Sequence, residues 1–191
     1  MLPNSLGELI SLQELILDKC KALRALPESI GSLQNLTSLQ MRECKCIREL
    51  PETIGNCSSL VEVGLSKCVE LFELPLVIAK WTDLEDLILT KCKSLREIPD
   101  CISNCKALVL LDCRGCKKMK SLPSTIGELP NLRILDLANC KTLTHLPESV
   151  GQLHRLECLD VSDCKSLQEL PDSLLSGALK VIGWPVQVEE N

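Results

Sequence analysis

Thirteen cysteines and two histidines hold most of the chemical capacity of this 191-residue sequence. Cys44-x-Cys46, Cys101-x3-Cys105 and Cys113-x2-Cys116 have the short spacing at which paired thiolates ligate zinc. A tetrahedral site needs four ligands, and neither a second Cys-x2-Cys pair nor a nearby histidine supplies the rest. His145 and His154 have no serine or cysteine nucleophile and orienting acid set beside them. There is no tyrosine, no Gly-x4-Gly-Lys-Ser/Thr phosphate loop and no carboxylate pair isolated in a pocket. The expectation is therefore no catalytic residue, no metal and no cofactor, which leaves binding as the function class.

Most of the cysteines answer to a different rule. Cys20, Cys44, Cys68, Cys92, Cys116, Cys140 and Cys164 are spaced 24 residues apart, and so are Leu12, Leu36, Leu60, Leu84, Leu108, Leu132 and Leu156. The unit reads Leu-x2-Leu-x-Leu-x2-Cys-x2-Leu-x2-Leu-Pro-x2-Ile-Gly-x-Leu-x2, as at Leu12, Leu15, Leu17, Cys20, Leu23, Leu26, Pro27, Ile30, Gly31 and Leu33. Its opening alternates apolar with variable residues, the period-two signature of a short strand with one buried face. Eight of the ten prolines occupy one template position, where they permit only a turn, a 3₁₀ segment or one or two helical turns. A single copy cannot bury its aliphatic side, so copies must stack with strands parallel over one continuous core. This predicts a single α/β domain over 1–191: a curved right-handed solenoid with about seven parallel strands on its concave face. A partial repeat covers 1–11, six full repeats 12–155 and a seventh 156–178, one residue short near Gly177. A closing segment follows at 179–191, with Leu179, Val181, Ile182 and Trp184 covering the last copy and Pro185 ending the pairing. The first half-repeat has no polar covering segment.

The pattern resembles the leucine-rich repeat over essentially the whole chain. The phrase Leu-Pro-Glu-Ser-Ile-Gly at 26–31, its variant at 146–151 and the recurrent Cys-Lys-x-Leu resemble the carboxy-terminal repeats of plant nucleotide-binding leucine-rich-repeat immune receptors. That resemblance implies recognition of a pathogen-derived or guarded host protein, and restraint of a nucleotide-binding module. Similar Leu-Pro-x2-Ile-Gly repeats occur in Ras-pathway scaffolds and plant Ras-group repeat proteins, which implies the alternative of an intracellular signalling scaffold. The mid-repeat start fits a third possibility, a truncated receptor fragment.

Composition narrows the partners and the compartment. With 45% hydrophobic and 25% charged residues the chain folds, and with 2% aromatics its core is aliphatic. A net charge of −5 gives no general pull toward nucleic acid or an anionic bilayer. No run approaches the ~20 apolar residues of a spanning helix. An odd cysteine count with no export signal predicts reduced thiols and a cytoplasmic location. The triplets Asn35-Leu36-Thr37 and Asn56-Cys57-Ser58 would accept sugar only on the secretory route. Oligomeric state is not fixed by the sequence.

The partner-binding candidates lie on the strand face opposite the core, at the third and fifth template positions. The early third positions hold Glu14, Glu62 and Asp86. From the fifth copy Leu110, Ile134 and Cys158 form an apolar column beside an acidic one, Asp112, Asp136 and Asp160, with Arg114 adjacent. Aspartates stacked about 5 Å apart repel unless a cation meets them, so the expected partner carries basic groups beside an apolar strip. The plain alternative is an ordinary solvated strand face. A second candidate is a convex patch of Phe72, Leu76 and Val77, where the third copy is irregular around Trp81. Lys21, Lys45, Lys93, Lys117, Lys141 and Lys165 form a basic column, expected to be a mixed-charge rim because Glu28, Glu49, Glu97 and Asp100 lie in the same repeats.

Overall fold

The computed structural model describes residues 2–175 and 180–183. Eight three-residue strands run in chain order through one parallel sheet: β1 Glu14–Ile16, β2 Ser38–Gln40, β3 Glu62–Gly64, β4 Asp86–Ile88, β5 Leu110–Asp112, β6 Ile134–Asp136, β7 Cys158–Asp160 and β8 Lys180–Ile182. From β1 to β7 the register advances by the 24-residue period, Glu14 opposite Ser38 and Ile134 opposite Cys158. The solenoid is thus the one expected, with an eighth strand. β8 pairs Lys180 with Cys158, so the last turn is two residues short of 24 rather than one. Val181 and Ile182 are half-buried in it, whereas Leu179, Trp184 and Pro185 lie outside the described residues.

Each strand ends in a backbone turn of fixed form. Lys19, Glu43, Lys67, Lys91, Gly115, Asn139 and Asp163 all sit at the residue before the column cysteine with φ of 59 to 72°. This left-handed residue still donates to the next turn, Lys91 N–H to the Arg114 carbonyl at 2.6 Å, so the ladder runs one step past the strand while the chain bends inward. The chain returns through a proline of extended ψ, as at Pro27 with φ −70° and ψ 150°, into a five-residue 3₁₀ segment such as Glu28–Ser32. Seven such segments stack, from Asn4–Glu8 to Glu148–Gln152, and Asp172–Leu175 forms a single α-helical turn in the equivalent place. Stacking there is tight: a Cβ on Gly31 would sit 2.5 Å from the Thr53 carbonyl oxygen.

The core is the aliphatic columns of the template, with Leu36, Leu39, Leu60, Leu84, Leu108 and Leu132 wholly buried. The cysteine column is part of it and bonds from turn to turn. Cys44, Cys68, Cys92, Cys116, Cys140 and Cys164 each donate Sγ–H to the carbonyl 27 residues back, on Leu17, Met41, Leu65, Leu89, Cys113 and Leu137, at 3.0 to 3.3 Å. A second column was not foreseen. Cys57, the Trp81 indole and Cys105 donate to Ile30, Ile54 and Ile78 at 3.2, 3.2 and 3.4 Å, again 27 residues back. All thirteen thiols are free, nine of them buried. Desolvation pushes Cys44 and Cys57 up to about 11 and Cys68 and Cys105 to about 12, so the thiols stay protonated and act as donors.

Ellman's reagent added to the native protein is expected to modify no more than Cys20, Cys46, Cys101 and Cys158, the thiols that are not buried, and all thirteen in guanidinium. Prompt labelling of Cys92 in the native state would contradict the buried column. Removing that donor in Cys92→Ala should cost about 1–2 kcal/mol of unfolding free energy, from a small cavity and a lost weak hydrogen bond. β1 is an edge strand, and Leu9, Ile10 and Ile16 near it are exposed. Hydrogen exchange should therefore show lower protection in residues 2–20 than in 84–164; equal protection would show that the front of the stack is covered.

Candidate protein-binding face

The middle residue of every strand points into the core, which leaves the flanking two on the open face of the sheet. Leu110, Ile134 and Cys158 stand in register on β5 to β7, with Ile134 41% exposed and the other two half-buried. Asp112, Asp136 and Asp160 stand in register beside them. The sequence reading of this strip as two parallel columns thus matches the geometry.

The aspartates are more engaged with their own chain than their spacing suggested. Each turns one carboxylate oxygen onto the backbone N–H two residues on: Asp112 to Arg114 at 2.9 Å, Asp136 to Ala138 at 3.0 Å and Asp160 to Ser162 at 2.9 Å. This fixes the exit of the strand just before the left-handed residue. The outer oxygen of Asp112 accepts from the Thr90 hydroxyl at 2.8 Å. That of Asp136 accepts from Arg114 Nε at 3.1 Å and from its terminal nitrogen, which lies 3.9 Å from Asp160. The cation required between the stacked carboxylates is therefore supplied first by Arg114. Its guanidinium is held even more firmly protonated than usual by its hydrogen bonds and charge contact with Asp136. Three carboxylates share this one guanidinium, so an excess of negative charge remains, with the outer oxygen of Asp160 the least engaged of the three.

A second acidic node lies on β3 and β4. Asp86 stands opposite Glu62, with Glu85 next to it. Burial first, then the charges of Glu62 and Glu85, pushes the Asp86 carboxyl above its usual range, and no cation pairs with any of the three among the described residues. Glu14 on β1 is exposed. On β2 and β3 the face is blocked differently: Gln40, 6% exposed, folds over Gly64 and donates to the Ser38 hydroxyl at 3.2 Å. A Cβ at Gly64 would lie on the Gln40 amide oxygen, so a larger residue there would push the Gln40 side chain off the face.

The convex candidates are brought together only in part. Leu76 is 69% exposed, but Phe72 is half-buried and Val77 packs against the core. Trp81 is fully buried, as expected, and its indole donates to the Ile54 carbonyl. His145 and His154 are exposed, and His145 Nδ1 lies 3.0 Å from the Thr144 hydroxyl. Cys113 and Cys116 are both buried in the core. Among the described residues no group of three or more His, Cys, Asp or Glu is placed to hold a metal ion, and no helix is long and apolar enough to cross a membrane.

An open parallel sheet with its inner side packed and its outer side free defines a repeat solenoid that presents a surface rather than enclosing a site. Residues 131–153 match the family model described as Leucine Rich Repeat. No curated protein matches the sequence. Among solved structures, the leucine-rich-repeat domain of the type III effector XopL aligns with a TM-score of 0.68 at 23% identity, covering 95% of this chain and 71% of that one. The Arabidopsis receptor kinase HAESA, in complex with the peptide hormone IDA and the co-receptor SERK1, aligns with a TM-score of 0.63 at 27% identity over 88% of this chain and 28% of its own. A plant ice-binding protein aligns at 0.57 and 23% identity, over 94% of this chain and 58% of its own. The chain has the leucine-rich-repeat fold, whose form suits a protein-interaction module.

The raised Asp86 carboxyl makes a pH prediction with a definite sign. Its contribution to stability is full below the usual 3.8 and is lost as pH rises through the higher folded value. Asp86→Asn should therefore melt above the wild type at neutral pH, with the difference shrinking as pH falls toward 4. An unchanged difference across that window would remove the acidic node.

Proposed function

We propose that β4 to β7 form the recognition face of a non-enzymatic receptor module, and that its partner is a protein presenting basic side chains beside an apolar ridge. The observation that carries this reading is the Leu110, Ile134 and Cys158 strip in register with a carboxylate column that one arginine only partly neutralises. The unpaired Glu62, Glu85 and Asp86 node extends the same negative field to β3 and β4. Electrostatic complementarity of this kind raises the association rate and selects among partners, while the apolar strip supplies contact area.

The wider role proposed is sensing within a plant intracellular immune receptor: binding of a pathogen-derived or guarded host protein, with restraint of an attached nucleotide-binding module. It rests on the Leu-Pro-Glu-Ser-Ile-Gly and Cys-Lys-x-Leu phrases described above. The HAESA complex supports the general idea that a plant repeat sheet of this fold serves a receptor. A reducing cytoplasm is the compartment proposed, because the column of buried thiols, with Cys57 and Cys105, donates hydrogen bonds that oxidation would abolish.

The test uses conservative changes. In Asp112→Asn/Asp136→Asn/Asp160→Asn each amide oxygen can still accept the backbone N–H two residues on, so folding should persist with a melting temperature close to wild type. A partner captured from native plant cytosol by the wild-type chain should then bind this variant roughly tenfold more weakly, with a flatter dependence on salt. Ile134→Glu should weaken it as well. Undiminished binding by both variants would dismiss this face.

A further inference from the structure

The lysines of the basic column are solvated rather than paired. Among the described residues, Lys21, Lys45, Lys93, Lys117, Lys141 and Lys165 make no ion pair, and Arg48, three residues beyond Lys45, pairs with Glu70 instead. At one place along the column these free charges surround a cleft. Gly115 is the only left-handed turn residue without a side chain in a series where Lys91 precedes it and Asn139 follows. Beside it lies a hollow of about 470 Å³, lined by Lys91, Lys93, Arg114, Gly115, Lys117 and Asn139. No carboxylate lines it.

The charges in this hollow are unequal. Arg114 is committed to Asp136 on the concave side, so its charge is largely cancelled. Lys91, Lys93 and Lys117 have no carboxylate within 4.0 Å among the described residues, so three lysines without an ion-pair partner line one hollow. Like charges held together repel, and an anion of two or more charges relieves that repulsion at all three at once. The Gly115 N–H is already spent on the Ala138 carbonyl at 2.7 Å, so recognition falls to the lysines rather than to a backbone nest. Asn139 donates to Asp163 at 3.2 Å, which places a carboxylate beyond that wall and favours the Lys91 and Lys117 side for the anion.

We propose that the cleft over Gly115 binds a small, multiply phosphorylated anion. Three point-like ammonium donors suit phosphate groups, whose oxygens can be shared among lysines at several angles. The volume is that of a small-molecule pocket, too small for a folded domain. A nucleic-acid strand is the poorer fit, since the chain carries a net charge of −5 and no aromatic side chain lines the hollow on which a base could stack. Because Arg114 belongs both to this hollow and to the aspartate column, occupancy here would adjust the charge that the concave face presents.

Calorimetric titration of the full chain with tripolyphosphate, pyrophosphate and orthophosphate tests the proposal. Saturable binding of one tripolyphosphate per chain is expected, weakening in that order of ligands. Lys93→Gln/Lys117→Gln should lose roughly tenfold or more in affinity, while Lys21→Gln/Lys165→Gln, which removes the same charge from the ends of the same column, should stay within about twofold. Gly115→Asn, a residue tolerant of the left-handed turn, should keep the fold while crowding the Lys91 side of the hollow, and so weaken binding. Equal loss in the two double variants, or full binding by Gly115→Asn, would reduce the effect to diffuse surface charge and overturn the site. Vesicles containing phosphatidylinositol bisphosphate separate the sources of the phosphate. Retention that tripolyphosphate competes away supports the same site reading a headgroup, and retention that it does not compete away overturns the proposal.

Discussion

One carbonyl per turn, shared by two donors, holds this molecule in register. The Leu65 oxygen accepts the Cys68 N–H of its own turn at 3.1 Å and the Cys92 thiol of the next at 3.1 Å. The same fork recurs at Leu17, Met41, Leu89, Cys113 and Leu137. A carbonyl has two lone pairs, and in the core there is no water to take the second. A thiol is a weak donor that tolerates burial, so it meets that requirement without bringing a strongly polar group inside. Across the core the Ile30, Ile54 and Ile78 carbonyls do the same with Cys57, Trp81 and Cys105. The two forks fix the turn spacing near the sheet and near the 3₁₀ segments, and everything displayed outside inherits that spacing.

The concave face shows the same economy of groups. Asp112, Asp136 and Asp160 each use one oxygen to hold the strand exit and leave the other for a charge partner. An aspartate in this position is structural and electrostatic at once. Its substitution by alanine would disturb the turn as well as the field, whereas asparagine separates the two effects. Arg114 joins this face to the rim, since it neutralises Asp136 on one side and lines the lysine-walled hollow on the other.

The architecture was legible because it depends on repetition, which a sequence displays directly. Leucines 24 apart gave the register of β1 to β7 without reference to any one contact, and prolines such as Pro27 and Pro51 marked where each return segment begins. Single events were harder to read. The left-handed residue is Lys, Glu, Gly, Asn or Asp in different copies, so no residue type betrays its φ. The indole bond of Trp81 was hidden because leucine fills the same place at Leu33, Leu129 and Leu153, and a donor there has no local signature. The pairing of Arg114 with Asp136 spans 22 residues and depends on a side-chain rotamer that spacing does not dictate.

The bonds between turns also bear on how such a chain can change length. They link residues by fixed offsets, 27 for the thiols, 25 for Asn35 to Ile10 and 24 for Thr37 to Gln13, and none depends on absolute position. Duplication or deletion of one whole unit by unequal exchange therefore restores the backbone ladder and the cysteine fork on both sides of the junction. Recognition surface can thus be gained or lost in whole steps, each adding one strand and two outward-facing side chains.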